Sequence, residues 1–336
     1  MQNPSRVLAR CPRILLTLAL AAAPPVVSAE IPEDRAQTVA LQLVELLREH
    51  YVFPERVDAV RAALEGGWSD DLAPEDSAAL GEALTRLLYE VTSDRHLRVR
   101  PRRPRVEASA AERLERARRE NYGFGRLEVL DGNLGYLEMR SFAPAVIGRA
   151  TAEAALRFLG KTDALIVDLR RSEGGDPSMV QLLCSAFLGP GVHLNSFRWR
   201  AGERVQEIRT LEDGVAPRRT DVPLFVLTGS RTFSAAEELA YDLQALGRAR
   251  IVGQPTRGGA NPGREFPLGE ALSVFVPTGT AVNPVTGTNW EGTGVKPDLM
   301  VTEEAALDRA RIEAAAAAEA FRAASMGSGA SSSAER

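Results

Sequence analysis

The sequence predicts an α/β protein in which helices cover a partly parallel sheet. Apolar strand signals alternate with helix signals between residues 124 and 302, as in chains whose parallel strands are joined by helices. Two of these strands run directly into glycine- or serine-rich turns that open the next helix. The chain has 336 residues, 44% hydrophobic and 26% charged, which is typical of a globular protein and excludes a collagen, a coiled-coil rod or a mostly disordered chain.

Residues 1–29 have the pattern of a secretory signal peptide. Three arginines precede an apolar stretch at 14–27, and small residues at 27–29 offer a cleavage site. The apolar stretch is shorter than the ~20 residues that a membrane-spanning helix needs, so a cleaved signal is favoured over a membrane anchor. We therefore expect an exported protein, periplasmic or secreted, without stable membrane insertion after cleavage.

Residues 30–97 are predicted to form a small helical N-terminal domain. Apolar side chains recur there at helical spacing, as in Leu43, Val44 and Leu47. Such a domain either faces the substrate as a cap or packs on the rest of the protein as a structural unit. The segment 98–123 opens with an arginine-rich stretch and is predicted to be a linker. Since the net charge of the chain is -4, we expect no nucleic-acid partner.

The α/β core is predicted at 124–302. Its strand signals lie at 127–130, 134–139, 164–169, 224–227 and 250–252, and its helix signals lie at 152–159, 177–187 and 235–246. The alanine-rich stretch 303–324 predicts a C-terminal helix, and the small polar residues of 325–336 predict a disordered tail. Parallel sheets place their chemistry at the carboxyl ends of the strands, where the polar turns of this sequence fall.

Ser234 is the first candidate catalytic residue. It stands between an apolar strand and a helix that opens at Ala235, so its hydroxyl is expected beside unpaired backbone amides and the positive end of a helix dipole. Such amides can bind the oxyanion of a tetrahedral intermediate, as an acyl-transfer nucleophile requires. The alternative is structural, because the four residues from Ser234 to Glu237 are also an ordinary capping box.

Gly174 and Gly175 follow the strand signal at 164–169. Paired glycines after a strand allow backbone N–H groups to approach a ligand closely, and with the Ala235 amide they are expected to form an oxyanion hole. The alternative is a glycine turn that leads into the helix beginning at Pro177.

Seven segments, taken in their order along the chain, form a specific set. They are 51–55 (YVFPE), 94–99 (DRHLRV), 132–137 (GNLGYL), 168–175 (DLRRSEGG), 232–238 (TFSAAEE), 253–260 (GQPTRGGA) and 289–298 (NWEGTGVKPD). This set resembles the tail-specific, or C-terminal processing, serine peptidases, and most closely the branch with the interphotoreceptor retinoid-binding protein and the tricorn protease core. The resemblance implies a crotonase-like (ClpP/crotonase) core behind a helical N-terminal domain, and a serine peptidase that acts on peptides or proteins.

The general base differs between branches of this family. In the processing branch it is a lysine in a Thr-x-Gly-x segment, and here that place falls at 258–260, which contains none. The tricorn-like branch uses a histidine, and His96 stands in the matching segment. A neutral imidazole can accept the Ser234 proton and return it to the leaving amine. The resemblance therefore implies a Ser234–His96 pair, and a purely structural role for His96 is the alternative.

The remaining basic candidates are few. Lys161 and Lys296 are the two lysines of the chain, and both are predicted to be surface charges. His50 falls on a predicted helix and His193 in a loop or strand segment, so structural or surface roles are expected for both.

Glu291 matches the acidic residue that precedes Gly-Val-x-Pro-Asp in the family. It is expected to orient the histidine, directly or through a third group. The serine that precedes the histidine and relays to the glutamate in tricorn is replaced here by Arg95. The orienting group is therefore Glu291 acting directly, or Ser93 or Asp94 in place of the relay.

Metal and cofactor chemistry is not expected. The three histidines are scattered, the cysteines lack zinc-site spacing, and no nucleotide-binding glycine motif is present. Only 35 residues separate His96 from Gly132, too few for a peptide-binding PDZ module. Two functions remain, an exported serine peptidase and a non-catalytic binder of hydrophobic small molecules or peptides on the same fold. The sequence leaves the oligomeric state open.

Overall fold

The chain adopts a mixed α/β fold around a central six-stranded sheet in a computed structural model. The structure describes residues 33–66, 77–102, 109–213 and 217–332. The predicted signal peptide at 1–29 lies outside the described residues.

The described part of the chain forms the following helices and strands. The helices are α1 (Glu33–His50), α2 (Val57–Glu65), α3 (Ser77–Thr92), α4 (Ala110–Arg119), α5 (Ala145–Phe158), α6 (Pro177–Phe187), α7 (Ala235–Ala245) and α8 (Ala306–Ser332). The strands are β1 (Arg98–Pro101), β2 (Phe124–Leu130), β3 (Leu134–Met139), β4 (Ala164–Asp168), β5 (His193–Trp199), β6 (Val205–Arg209), β7 (Leu224–Thr228), β8 (Arg250–Gly253), β9 (Gly263–Leu268), β10 (Leu272–Pro277), β11 (Gly279–Val282) and β12 (Leu299–Met300).

The central sheet has the strand order β12-β8-β7-β4-β3-β2. Adjacent strands of this sheet run parallel to one another, except that β2 pairs antiparallel with β3. The register aligns Leu137, Val167, Val226 and Ile251 in one row across four strands. Because β4, β7 and β8 are adjacent and parallel, the turns that follow them emerge at one edge of the sheet. Two smaller sheets have the orders β1-β10-β9 and β11-β5-β6.

Helices cover both faces of the central sheet, so β4 and β7 are buried along their whole length. Side chains of β4 alternate between the two faces. Leu165 and Val167 pack towards α5, α6 and α7, whereas Ile166 packs towards α8. The buried stripe of α8 is alanine at every fourth position, Ala306, Ala310, Ala314 and Ala318. These small side chains allow the helix to lie close against the strands.

The N-terminal helices pack on a sheet rather than only on each other. Leu43 of α1, Val60 of α2 and Leu84 of α3 share one apolar cluster with Val99 of β1 and Val274 of β10. Strands β9 and β10 come from a segment more than 150 residues later in the chain. The region 33–92 is therefore attached to the core through a shared sheet.

The segment 98–123 differs from the predicted linker. Residues Arg98–Pro101 form β1, which pairs antiparallel with β10, and Ala110–Arg119 form α4, which begins with a Ser109–Glu112 capping box. In β1 only Val99 points into the core, so the alternation is too short to be recognised among the surrounding arginines. The linker prediction is wrong for both of these stretches.

At the C-terminus, α8 begins at Ala306 and continues to Ser332, past the predicted end of the helix at residue 324. The prediction of a disordered tail from residue 325 is therefore not met over 325–332, and 333–336 lie outside the described residues. None of the helices in the described part of the chain has the length and apolar character needed to cross a membrane.

We expect Ala314→Asp to destabilise the protein by about 3 kcal/mol or more, because it places a charge without a partner between α8 and the sheet. The Ala314 side chain is completely buried. Urea unfolding followed by circular dichroism measures the change.

The matched control is Ile312→Asp on the exposed side of the same helix, where 68% of the residue is accessible. That variant should change the unfolding free energy by less than about 1 kcal/mol. Equal destabilisation by both variants would contradict the packing of α8 described above.

Candidate active site

Three turns meet at the carboxyl edge of β4, β7 and β8. The Thr232 hydroxyl donates to the Leu169 carbonyl at 2.8 Å, and the Phe233 amide donates to the Ser172 carbonyl at 3.0 Å. These bonds join the turn after β7 to the turn after β4. The Arg257 amide, in the turn after β8, donates to the Thr232 carbonyl at 3.1 Å. The geometry of the sheet thus brings Ser234 and the glycine pair together.

Ser234 occupies a strained backbone conformation at the start of α7. Its φ of 55° and ψ of -123° are rare for a residue with a side chain and cost on the order of 1–3 kcal/mol. The residue is partly exposed, so its hydroxyl is accessible from the adjoining cavity. A strained turn between strand and helix that presents a serine hydroxyl is an arrangement found in nucleophilic hydrolases.

The imidazole of His96 faces the Ser234 hydroxyl. Their Nε2 and Oγ atoms lie 3.2 Å apart, although the two residues are separated by 138 positions. The ring packs on Phe233, with centroids 4.5 Å apart, and lies 5.8 Å from the ring of Phe275. The structure therefore brings together the two side chains for which the sequence predicts a shared site, at the separation expected of a nucleophile and its base.

Backbone bonds fix His96 in this place. It lies two residues before β1, and β1 is held by pairing with β10. The Asp94 carboxylate accepts the His96 amide at 3.0 Å and the Leu97 amide at 3.3 Å. Asp94 in turn accepts the Tyr51 hydroxyl at 3.1 Å and the Asn261 side-chain amide at 3.0 Å. The histidine backbone is thus anchored to both the N-terminal helices and the core.

Gly174 and Gly175 lie directly beside Ser234. Both have positive φ angles, 90° and 147°. A Cβ atom on Gly174 would lie 2.8 Å from the Ala235 nitrogen and 2.9 Å from the Ser234 Cβ, so only glycine fits there. Within the described residues, the amides of Gly174, Gly175 and Ala235 donate to no protein acceptor. The three expected oxyanion-hole residues therefore have unpaired N–H groups, with Gly174 against the Ser234 turn and Gly175 and Ala235 lining the same cavity as Ser234.

Glu237 has a wider role than the capping box that the sequence indicated. Its completely buried carboxyl accepts the Ser234 amide at 2.8 Å and the Thr256 hydroxyl at 2.5 Å. It also accepts the amides of Gly258 at 2.6 Å and Gly259 at 2.9 Å. Burial raises the pKa of this carboxyl, while the four hydrogen bonds oppose the rise. The S-x-x-E motif was the available signal, but the sequence did not reveal the partners in the turn after β8.

Glu291 does not contact the imidazole through a hydrogen bond. Its two carboxylate oxygens accept the Arg95 amide at 2.9 Å and the Ala260 amide at 2.6 Å. Burial, followed by the charge of Asp94, raises the pKa of Glu291 to about 8. The sequence left Ser93 and Asp94 open as other groups that could orient the histidine. Ser93 is exposed, whereas Asp94 is buried. Glu291 and Asp94 both hold backbone next to His96.

The His96 imidazole is held as a neutral ring. Burial, and then the charges of Arg98 and Arg257, lower its pKa to about 3. Its Nδ1 atom is buried without a hydrogen-bond partner among the described residues. A neutral ring can accept a proton from a hydroxyl.

Asp94, His96 and Glu291 form a group whose potential ligand atoms lie within 4.8 Å of one another, the spacing of a metal site. Each carboxylate oxygen of Asp94 and Glu291 already accepts at least one hydrogen bond from the protein. These hydrogen bonds tie the two carboxyl groups to the backbone and side chains around the imidazole.

The other basic candidates lie elsewhere. Lys161 and Lys296 are exposed, and neither lines the cavity at Ser234. His50 stacks on Phe266 at 4.3 Å, and the His193 imidazole contacts the Ser196 hydroxyl at 3.0 Å.

A cavity of about 370 Å³ opens beside Ser234 and His96. Its lining includes Gly175 and Ala235 from the candidate oxyanion hole, several aromatic residues, and Glu238. Sequence reasoning did not single out Glu238. The arrangement can bind an extended ligand across a serine hydroxyl, a neutral imidazole and three free amides, the groups required for acyl transfer.

The sequence matches a known family over half of the chain. Residues 133–301 match the model of peptidase family S41. The carboxy-terminal-processing protease of Bartonella bacilliformis is 26% identical over 180 residues, which are 52% of this chain and 40% of that protein. The chain thus spans less than half the length of this curated relative.

Solved structures share the fold. A protein from Parabacteroides merdae described as a peptidase superposes with a TM-score of 0.58 at 19% identity, over 80% of this chain and 90% of that chain. The tricorn protease gives a TM-score of 0.55 at 12% identity, over 86% and 37% of the two chains. The photosystem II D1 C-terminal processing protease gives 0.50 at 17% identity, over 80% and 94%.

We expect the His96 imidazole to stay neutral between about pH 8 and about pH 5, because burial and the two nearby arginines disfavour its protonated form. The ring should take up a proton only as the pH falls towards its pKa of about 3. NMR titration of the histidine rings measures this, and the spectrum of His96→Gln identifies the resonances of His96.

A titration midpoint for His96 at or above pH ~6.5 would contradict this description, because it would require a carboxylate bonded to Nδ1 that stabilises the imidazolium.

Proposed function

This chain belongs to peptidase family S41, and we propose that it is a serine peptidase with Ser234 as its nucleophile and His96 as its general base. The observation that carries the proposal is the 3.2 Å contact between Ser234 Oγ and His96 Nε2 beside three unpaired amides. The absence of either lysine from this cavity supports a serine–histidine pair over a serine–lysine pair.

Acylation uses both side chains. The Ser234 oxygen attacks the carbonyl carbon of the scissile peptide bond while His96 Nε2 takes the hydroxyl proton. The carbonyl oxygen becomes an oxyanion, and the amides of Ala235 with Gly174 or Gly175 bind it. His96 then gives the proton to the leaving amine, the C–N bond breaks, and an ester to Ser234 remains.

Deacylation repeats these steps with water. His96 takes a proton from the water as its oxygen attacks the ester, and it returns that proton to Ser234 as the C–O bond breaks. The strained conformation of Ser234 keeps the hydroxyl beside the imidazole throughout, because Glu237 holds its amide.

Glu291 and Asp94 are positioning residues in this proposal. Glu291 binds the amides on either side of the site, at Arg95 and Ala260, and Asp94 binds the amide of His96 itself. Both carboxyl groups have oxygens within 4.8 Å of an imidazole nitrogen. Because burial raises the pKa of both carboxyl groups, their part in this proposal is to hold the backbone around the imidazole.

The proposed substrates are peptides or proteins outside the cytoplasm. The curated relative is named as a carboxy-terminal-processing protease, and the signal pattern at 1–29 supports export to the periplasm or medium. We also propose that the α/β region is a crotonase-like core, in keeping with the motifs. Family membership favours the peptidase over the non-catalytic binder that the sequence left open.

We expect a fluorophosphonate probe to label the wild-type protein and not Ser234→Ala, because the probe reacts with an activated serine hydroxyl. His96→Ala should slow labelling by at least about a hundredfold through loss of the base. Gel fluorescence after timed incubation at neutral pH measures the rates.

His50→Ala and His193→Ala are the controls and should label at the wild-type rate, since both rings lie outside the cavity. Labelling of Ser234→Ala or His96→Ala at the wild-type rate would refute the assignment, whereas equal loss in all three histidine variants would indicate misfolding.

We expect Gly174→Ala to slow labelling by at least about tenfold, because its Cβ would lie 2.6 Å from the Phe233 carbonyl oxygen and displace the Ser234 turn. Gly189→Ala is the control, since its Cβ would meet no atom within 4 Å. An unchanged rate in Gly174→Ala would mean that the glycine pair does not shape the site.

A further inference from the structure

Glu238 is a buried acidic residue that lines the cavity of the proposed active site. It lies one helical turn after Ser234, and its amide donates to the Ser234 carbonyl at 2.9 Å. Only 5% of the residue is exposed, and it contributes to the cavity wall. The side-chain contact that the structure gives its carboxyl is a long one, 3.5 Å from the Asn195 amide. The proposed mechanism gives this carboxyl no part.

A second carboxyl group lies behind Glu238. Asp242 is completely buried one turn further along α7, and it accepts hydrogen bonds from the side-chain amides of Asn195 and Asn283. Burial and the charge of Glu238 raise the pKa of Asp242, and burial and Asp176 raise that of Glu238. Among the described residues, no arginine, lysine or histidine forms an ion pair with either carboxyl.

Around the carboxyl groups of Glu238 and Asp242 there are more hydrogen-bond acceptors than hydrogen-bond donors. The Oδ1 atom of the buried Asn195 has no donor within the described part of the chain. Buried acceptors without donors cost free energy, and buried acidic pairs without a cation cost more. A ligand that enters the cavity with a positive charge and N–H donors, and that reaches the Glu238 carboxyl, would reduce the cost of this acidic pair.

Resting on the proposed function, we propose that the part of the cavity lined by Glu238 receives a lysine or arginine side chain of the substrate, that of the residue whose carbonyl Ser234 attacks. The peptidase would then cleave on the carboxyl side of basic residues.

The position of the cavity sets which substrate residue enters it. His96 must reach the leaving nitrogen, so the leaving group lies on the imidazole side of Ser234. Glu238 follows Ser234 and Ala235 on their own helix, and Phe197 and Trp290 complete an apolar wall. A side chain on the acyl residue would pass along this wall to the carboxyl group.

The apolar wall and the acidic end together fit a long basic side chain. The methylene stem of lysine or arginine packs on aromatic surface while its charged end binds a carboxylate. A purely apolar side chain would fill the same space and leave Glu238 facing it without a partner. We therefore expect charge, rather than size, to decide which residue is preferred.

A pair of peptidyl diphenyl phosphonates tests this inference. They share the same peptide leader and differ only in the terminal residue, which is the lysine analogue or its uncharged norleucine counterpart. Each phosphonylates an active serine, because the serine oxygen displaces phenol from phosphorus, and mass spectrometry follows the rate at Ser234. In the wild type, the lysine reagent should react at least about tenfold faster than the norleucine reagent.

Glu238→Gln should abolish most of this ratio. The control Glu265→Gln should keep it, because Glu265 is exposed on β9 and does not line the cavity. A simple fluorophosphonate, which lacks the basic side chain, reports whether Ser234 itself is reactive, and thermal melting reports whether each variant is folded.

The outcomes separate the two proposals. If the fluorophosphonate labels Ser234 but the wild type reacts equally with both phosphonates, or Glu238→Gln keeps the ratio, the inference on basic residues is wrong and the proposed peptidase stands. If the fluorophosphonate fails to label Ser234 in the folded wild type, the proposed catalytic pair fails and this inference fails with it.

Discussion

The buried carboxyl of Glu237 is the interaction on which the site depends. It holds the amide of Ser234 and, through Thr256, Gly258 and Gly259, the turn that follows β8. Ser234 adopts a backbone conformation that it would leave without such bonds. The same turn packs against the imidazole, since a Cβ on Gly259 would lie 2.8 Å from His96 Cε1. One carboxyl group therefore links the position of the nucleophile to that of its base.

Burial sets the electrostatics of this region. The imidazole of His96 is kept neutral, and the carboxyl groups around it have raised pKa values because charge is poorly solvated there. The site is consequently ordered by hydrogen bonds to backbone amides instead of ion pairs. Glu291 illustrates this, because it holds Arg95 and Ala260 through their amides without touching the ring. Such contacts fix the backbone while leaving the base free to accept a proton.

The local pattern of the sequence was sufficient for much of the core. The strand at 134–139 and the helix at 177–187 coincide with β3 and α6, because apolar runs bounded by glycine, proline and polar turns carry a strong local signal. The strands of the two smaller sheets, β1 among them, were not predicted. In β1, β6 and β9 few side chains are buried, so strand partners distant in the chain decide their conformation.

Within the site, the sequence determined the serine at a strand-to-helix turn, the glycine pair after a strand, and the family to which the chain belongs. The serine and the glycine pair depend on residues close together in the chain, where turn and capping chemistry is local, and the family depends on several such short segments taken in order. Only the tertiary structure decided that His96 meets Ser234, that Glu291 holds backbone and not the ring, and that Glu238 faces the cavity. Each of these contacts is made across strands and helices far apart in sequence, and packing determines which of the many possible pairs form.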